Sequence, residues 1–286
     1  MNLFNIIEEI EKVDPEVSER ISPRRAAIKN ITSFGSKVAA ASLPFAFGSL
    51  FKKAYAQSSP SEVIGVLDFA LTLEYLEAEF YKAGLAATGL GMPAADRTNY
   101  FEKISRDENA HVTFLQSTIT ALGGQFTPKS ALKFDFTGGG AFGNVMSNYE
   151  TFLKVSVAFE DTGVRAYKGQ APKLLGNEVV LGAALAIHAV EARHASAVRY
   201  VLNDKLGLGL RPWIVSTGSK GNDTGVAGVD GNYNGEQEIM QLGINITDLP
   251  NTGNSKTIQS ATASFDEPLT KDQVLALLIP AFIKPA

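Results

Sequence analysis

Four stretches of the chain repeat their apolar residues every three to four positions, the period of a helix with one buried face. The first covers about 61–84, SEVIGVLDFALTLEYLEAEFYKAG, opened by Pro60 or Ser61 and closed by Gly84. The second covers about 95–122 and stops at Gly123-Gly124, the third about 144–168 before Gly169, and the fourth about 177–205 before Gly207. Glycine just past the last periodic residue reads as a stop, because it enters the left-handed turn that closes a helix at no steric cost. The first two segments are joined by about ten residues and the last two by fewer, which makes each pair antiparallel neighbours. The middle link, about 124–143, is long enough to run the length of a bundle. The pattern therefore predicts an all-α fold: a four-helix bundle of two hairpins joined by one long crossover.

Both ends of the chain break this pattern. From 207 onward, GSKGNDTGVAGVDGNYNGEQ is rich in Gly, Asn and Asp and has no period. It reads as loops with short strands, a loop-rich C-terminal extension over 207–286. One further helix is expected in TKDQVLALLIPAF, where Thr270 and Gln273 form a capping box and Pro280 ends the run. Trp213 is expected to anchor the extension on the bundle, as a large aromatic ring usually does. At the other end, SPRRAAIKN is followed by a weakly apolar run of small residues and by AYAQ. The paired Arg24-Arg25, with Ile28 and Lys29 after them and an Ala-x-Ala site ending at Ala56, reads as a twin-arginine export leader over 1–56. The bundle then occupies 57–206, and the destination is the periplasm or cell envelope of a bacterium.

Composition narrows the chemistry. The chain has 286 residues, 45% hydrophobic and 20% charged, with a net charge of −4. No basic stripe is present, so nucleic acid is not an expected partner. No apolar run reaches the ~20 residues of a membrane helix, so no transmembrane segment is expected once the leader is removed. The absence of cysteine excludes disulfides and thiolate metal sites.

Only three histidines are present, and two of them follow a glutamate by three positions: Glu108 with His111, and Glu191 with His194. Positions i and i+3 share a helix face, so each pair offers a carboxylate and an imidazole to one point. Both pairs lie on the apolar face, with Phe101, Ile104, Val112 and Leu115 around the first and Ala184, Ile187, Ala195 and Val198 around the second. Glu74 faces inward from the first helix and Glu160 from the third. In EYLEAEFYKAG and EDTGVRAYKGQ a tyrosine stands seven residues after each of these glutamates, Tyr81 and Tyr167, each followed by lysine. Glu74 and Glu108 are 34 residues apart, Glu160 and Glu191 31. The two halves thus read as an internal repeat. Packed face to face, they would bring four carboxylates and two imidazoles together at mid-bundle. Inward charges without partners are expensive, and metal ions would supply the partner.

This pattern resembles the ferritin-like superfamily of di-metal carboxylate proteins: one Glu from each of two helices and a Glu-x-x-His from each of the other two. The resemblance covers about 60–206. The leader and the tail FDEPLTKDQVLALLIPAF look more like its secreted, desiccation-associated bacterial branch than like cage-forming ferritins. It implies that Glu108 and Glu191 bridge two metals, that Glu74 and Glu160 are terminal ligands, and that His111 and His194 each hold one ion. Oxygen ligands with two imidazoles suit two iron or two manganese ions. The expected function is oxidation of Fe(II), or reduction of O2 or peroxide, in stress protection, with a homodimer as the candidate assembly. A manganese catalase-like enzyme and a non-enzymatic envelope protein are the alternatives. Tyr81 and Tyr167 would hydrogen-bond carboxylates or act as redox side chains, or simply fill the core. Asp107 stands where such proteins place an acid that orients a histidine; the second half has Val190 there.

Several nearby residues have plainer readings. Glu77 competes with Glu74, but its counterpart in the repeat is Gly163, which favours Glu74. His188 shares the Glu191 face and reads as a hydrogen-bonded core histidine before an extra ligand. Lys154, Asp161, Arg165 and Lys168 read as a solvated face. Asp223 and Asp230 lack the spacing of a calcium loop and read as turn chemistry.

Overall fold

A computed structural model of the protein describes residues 59–207, 209–214, 231–241, 244–248 and 258–286. The expected leader, Asp223 and Asp230 lie outside these residues. The described residues all belong to one compact unit, Gly48–Ala286.

Four long helices dominate. α1 spans Pro60–Ala86, α2 Glu102–Ala121, α3 Tyr149–Gln170 and α4 Glu178–Leu206. α2 is entered directly from a helical turn at Ala94–Asp96 and a π-helical turn at Arg97–Phe101. The starts follow side-chain caps, which satisfy otherwise orphaned backbone donors. Ser59 accepts from the Glu62 N–H, Asn148 from Thr151 at 2.9 Å and Asn177 from Val180 at 3.1 Å. Pro60 occupies the first position of α1, where its missing N–H would have been unpaired anyway. α4 ends at Gly207, whose φ of 63° is the left-handed stop, with its N–H bonded to the Asn203 carbonyl. The start of α3 is the main departure from the periodicity: the helix begins at Tyr149, where Asn148 caps it, and the preceding residues are turns.

α1 packs along α2, α3 packs along α4, and α1 also touches α3. Aromatic rings close one end of the bundle: Phe80 stacks on Phe152 with centroids 4.8 Å apart, and Phe101 meets Phe152 edge-on at 5.3 Å. Gly84 is required there, since a Cβ would overlap the Phe152 ring. The crossover carries a short strand, β1 (Leu132–Phe134), paired antiparallel with a strand at the C-terminus, β4 (Ile283–Pro285), so that Phe134 opposes Ile283. Between them in sequence lie a second small hairpin, β2 (Met240–Gln241) with β3 (Ile244–Asn245), and two short helices, α5 (Ile258–Thr262) and α6 (Lys271–Leu278). α6 has both capping-box bonds between Thr270 and Gln273 and ends just before Pro280. Among the described residues no helix is long and apolar enough to cross a membrane.

Two expectations about the extension are overturned. Trp213 is 48% exposed and is not the anchor. The outer flank of α3 is not solvated either, because the extension covers it. Arg165 is 1% exposed. It donates to the carbonyls of Asn232, Asn234 (2.7 Å) and Glu267 (2.6 Å) and pairs with Glu236 at 2.9 Å. Asp161 is gripped by both terminal nitrogens of Arg199 from α4 and accepts from the Tyr233 hydroxyl at 2.7 Å. Lys168 donates to the Asp266 carbonyl, and Lys154, largely covered, pairs with Glu150 at 2.7 Å. Gly169 lets the backbone of Leu269 lie directly on α3; a Cβ would overlap the Leu269 carbonyl oxygen.

Candidate metal centre

Each donor owes its inward position to the helix period. Glu74 sits among Ala70, Leu71, Ala78 and Tyr81, and Glu160 among Leu153, Val157, Val164 and Tyr167, all buried. The structure brings all six expected ligands together. Glu74, Glu108, Glu160 and Glu191 are 0% exposed, His111 8% and His194 6%. They form two groups in which one donor atom from every member lies within 4.8 Å of the others. One group is Glu74, Glu108, His111 and Glu191; the other is Glu108, Glu160, Glu191 and His194. Glu108 and Glu191 belong to both, so the pairs from α2 and α4 span two positions while α1 and α3 each close one.

The Nδ1 atoms of the histidines point at the carboxylates. His111 Nδ1 lies 3.1 Å from both Glu74 Oε2 and Glu108 Oε2 and 3.2 Å from Glu191 Oε1. His194 Nδ1 lies 2.7 Å from Glu108 Oε1 and 3.4 Å from Glu160 Oε2. The tyrosines cross between the halves: Tyr81 donates to Glu160, and Tyr167 donates to Glu74 at 2.5 Å. Each thus holds the carboxylate of the opposite repeat. Asp107 reaches His194 on its far side, at 3.6 Å from Nε2.

Four carboxylates and two imidazoles cannot balance in a dry interior. Burial, then the charge of Glu191, pushes Glu108 up to about 7. Burial, then the charge of Glu74, pushes Glu191 up to about 8. Burial also raises Glu160, against the pull of His194. Burial opposes charge on the histidines, but Glu74 holds His111 well above its ordinary value and Glu160 does the same for His194. Glu74 alone is lowered: burial opposes its charge, and His111, by its charge and hydrogen bond, overcomes that.

The donor set fits metal ions on a further ground. Glu108 Oε1, Glu160 Oε2, both Glu191 oxygens and His194 Nδ1 are buried without a hydrogen bond of ordinary geometry, even where an opposite charge is close. Buried polar atoms are nearly always satisfied, and here the orphans converge on one place. Glu77 adds to the imbalance. It is 3% exposed, and its Oε1 lies beside Gly163 on α3. Burial, then Glu191, raises it well above the usual carboxylate range. It belongs to neither donor group. His188 is also outside both groups; it is half-buried and its Nδ1 makes no hydrogen bond. The signal for Glu77 was present in the sequence as the Glu77–Gly163 mismatch in the repeat.

The sequence profile of the ferritin-like domain matches residues 62–204, half of the 286-residue chain. The chain belongs to the family of ferritin-like domains, in which the bundle and its buried Glu/His cluster are compatible with a metal-binding site. No curated protein matches the sequence.

Proposed function

We propose that the protein is an exported oxidoreductase that holds two iron or two manganese ions and acts on Fe(II), O2 or peroxide in stress protection. The observation that carries this reading is the pair of four-residue donor groups that share Glu108 and Glu191. Oxygen-rich sites with imidazole favour iron and manganese over softer metals. Bound there together, two such ions would supply two electrons to one small oxidant, each being oxidised by one unit. The protein's own part is to place Glu108 and Glu191 between the positions, Glu74 and His111 on one side, and Glu160 and His194 on the other. Tyr81 and Tyr167 fix the outer carboxylates, and the apolar faces of the helices keep water out. The reading of 1–56 as a twin-arginine leader supports a periplasmic or envelope location.

Elemental analysis of unchelated protein, with Glu108→Ala/Glu191→Ala as the control, tests the metal reading. About two iron or manganese atoms per chain, absent from the control, are expected. No metal after anaerobic Fe(II) or Mn(II) loading would end it. The closed surroundings of the donors favour one second reading, a metal-holding protein without turnover. Rapid Fe(II) oxidation excludes that reading, and release of oxygen from peroxide by the manganese form would mark a catalase-like enzyme.

A further inference from the structure

The four long helices differ in what they turn outward. α1 has no exposed residue between Val66 and Tyr81, and the extension covers the outer flank of α3. α2 shows solvent mostly polar side chains, such as Glu102, Lys103, Arg106, Asn109 and Thr113. α4 does not follow this rule. From its start to Tyr200 its exposed positions are Glu178, Gly182, Leu185, Ala189, Ala192, Arg193 and Tyr200. Leu185 is 46% exposed and Tyr200 59%. They lie opposite the face that carries Glu191 and Val198, which are buried. Single apolar residues in solvent are ordinary, but a contiguous stripe of them marks a contact. Glu178, Gly182, Leu185, Ala189 and Ala192 are also spaced by four and three in turn, as in a helix that lies along another helix.

The two charges on the stripe indicate what covers it. Glu178 and Arg193 are opposite in sign and flank the uncharged run Gly182, Leu185, Ala189 and Ala192. The point midway between them falls between Leu185 and Ala186. In a contact with two-fold symmetry, residue i meets residue j and j meets i. Two copies of α4 running antiparallel about that midpoint set Glu178 of each against the partner's Arg193, at both ends of the contact. The same register sets Gly182 against the partner's Ala189 and Leu185 against the partner's Ala186. Small residues therefore fall where the two backbones come closest. The space over Gly182 is open, since a Cβ there would meet nothing within 4 Å. A parallel pairing in register would instead set Glu178 on Glu178 and Arg193 on Arg193, and like charges brought together across a contact are costly.

We propose that the outer face of α4 is the contact between two copies of this chain, packed antiparallel about a two-fold axis that passes between Leu185 and Ala186. The stripe faces away from the buried donors, so the contact stands independently of the metal reading.

Sedimentation velocity of the full-length chain should show a reversible dimer at roughly 10 µM and above. Arg193→Glu meets Glu178 with a like charge twice per dimer and should weaken the dimer at least about tenfold. Glu178→Arg/Arg193→Glu, which exchanges the charges, should restore it. Circular dichroism checks that each variant is folded. The chain has no cysteine, so introduced thiols report the register directly. Gly182→Cys/Ala189→Cys should form a disulfide-linked dimer on mild oxidation, and Gly182→Cys alone should not. A monomer at about 100 µM would overturn the proposal, whether solvent or residues 1–58 of the same chain cover the stripe. A dimer that ignores Arg193→Glu and is not linked by the paired cysteines would overturn it too, by placing the contact elsewhere.

Discussion

Helix α3 borders two buried sets of charges, and they are built on opposite terms. On its inner side Glu160 joins three other ligand-type carboxylates and Glu77 around two histidines, and several oxygens are left without hydrogen bonds. On its outer flank Asp161 meets Arg199 and Tyr233, while Arg165 meets Glu236 and three carbonyls. The outer set pairs each cation with an anion and leaves one oxygen, Glu236 Oε2, unbonded, whereas the inner set is short of positive charge and leaves several donor atoms unbonded in one place. Burial alone therefore does not mark a binding site. What marks it is a deficit that the protein's own groups do not fill.

The sharpest way to break this contrast is to remove one partner from the balanced set. Arg165→Met should destabilise the protein by about 3–5 kcal/mol, the usual result of leaving a buried ion without its partner. Denaturant unfolding measures it, and limited proteolysis should show the 231–286 segments released from α3. Little change in either would mean that the outer set does not hold the extension.

The same operation on the inner set should have the opposite sign when metal is absent. Glu191→Gln removes a carboxylate whose folded-state value is pushed up to about 8 by burial and the charge of Glu74. The metal-free variant should gain about 1–3 kcal/mol at neutral pH while losing metal. A loss of stability in the metal-free protein would show that the inner cluster is structurally balanced after all.

Gly169→Ala tests the seam between the sets without touching a charge. The new methyl would press on the Leu269 carbonyl, and overpacking of this kind costs about 1–3 kcal/mol. Thermal unfolding with metal content measured in parallel should show lower stability and intact metal binding.

The pH dependence extends the comparison. Glu108 and Glu191 rise from 4.5 to about 7 and about 8 in the folded state, and His111 and His194 rise above 6.5. The folded, metal-free protein thus binds protons more tightly than the unfolded chain. The sign follows: its stability falls as pH rises from 4.5 through 8, and further while the histidines hold their protons. Metal displaces those protons, so bound metal should flatten or reverse the slope. A melting series at several pH values, with and without Mn(II), measures it. Smallest of all, Trp213→Ala should change stability by less than about 0.5 kcal/mol, because the ring is largely in solvent.

The inner cluster was legible because its members break a pattern: glutamates and histidines stand at apolar positions of helices, at helix spacing, twice over. The outer set followed a pattern instead. Charged residues on a helix flank ordinarily face water, and nothing near Asp161 or Arg165 announces a cover. That cover comes from Asn232, Tyr233, Glu236 and Glu267, in stretches without period, so no local rule connects them to α3. Trp213 misled for the related reason that an aromatic residue suits burial but does not choose its place.

By itself the sequence determined the four helices, their antiparallel pairing, the capping box at Thr270 and the set of inward carboxylates and imidazoles. These follow from local periodicity and from side chains within one turn of each other. Only the tertiary structure decided that Tyr81 and Tyr167 serve the opposite halves, that Asp107 reaches His194, and that the extension seals α3. Each of those depends on the relative placement of residues far apart in the chain, which is set by how helix faces and loops pack rather than by any repeat along them.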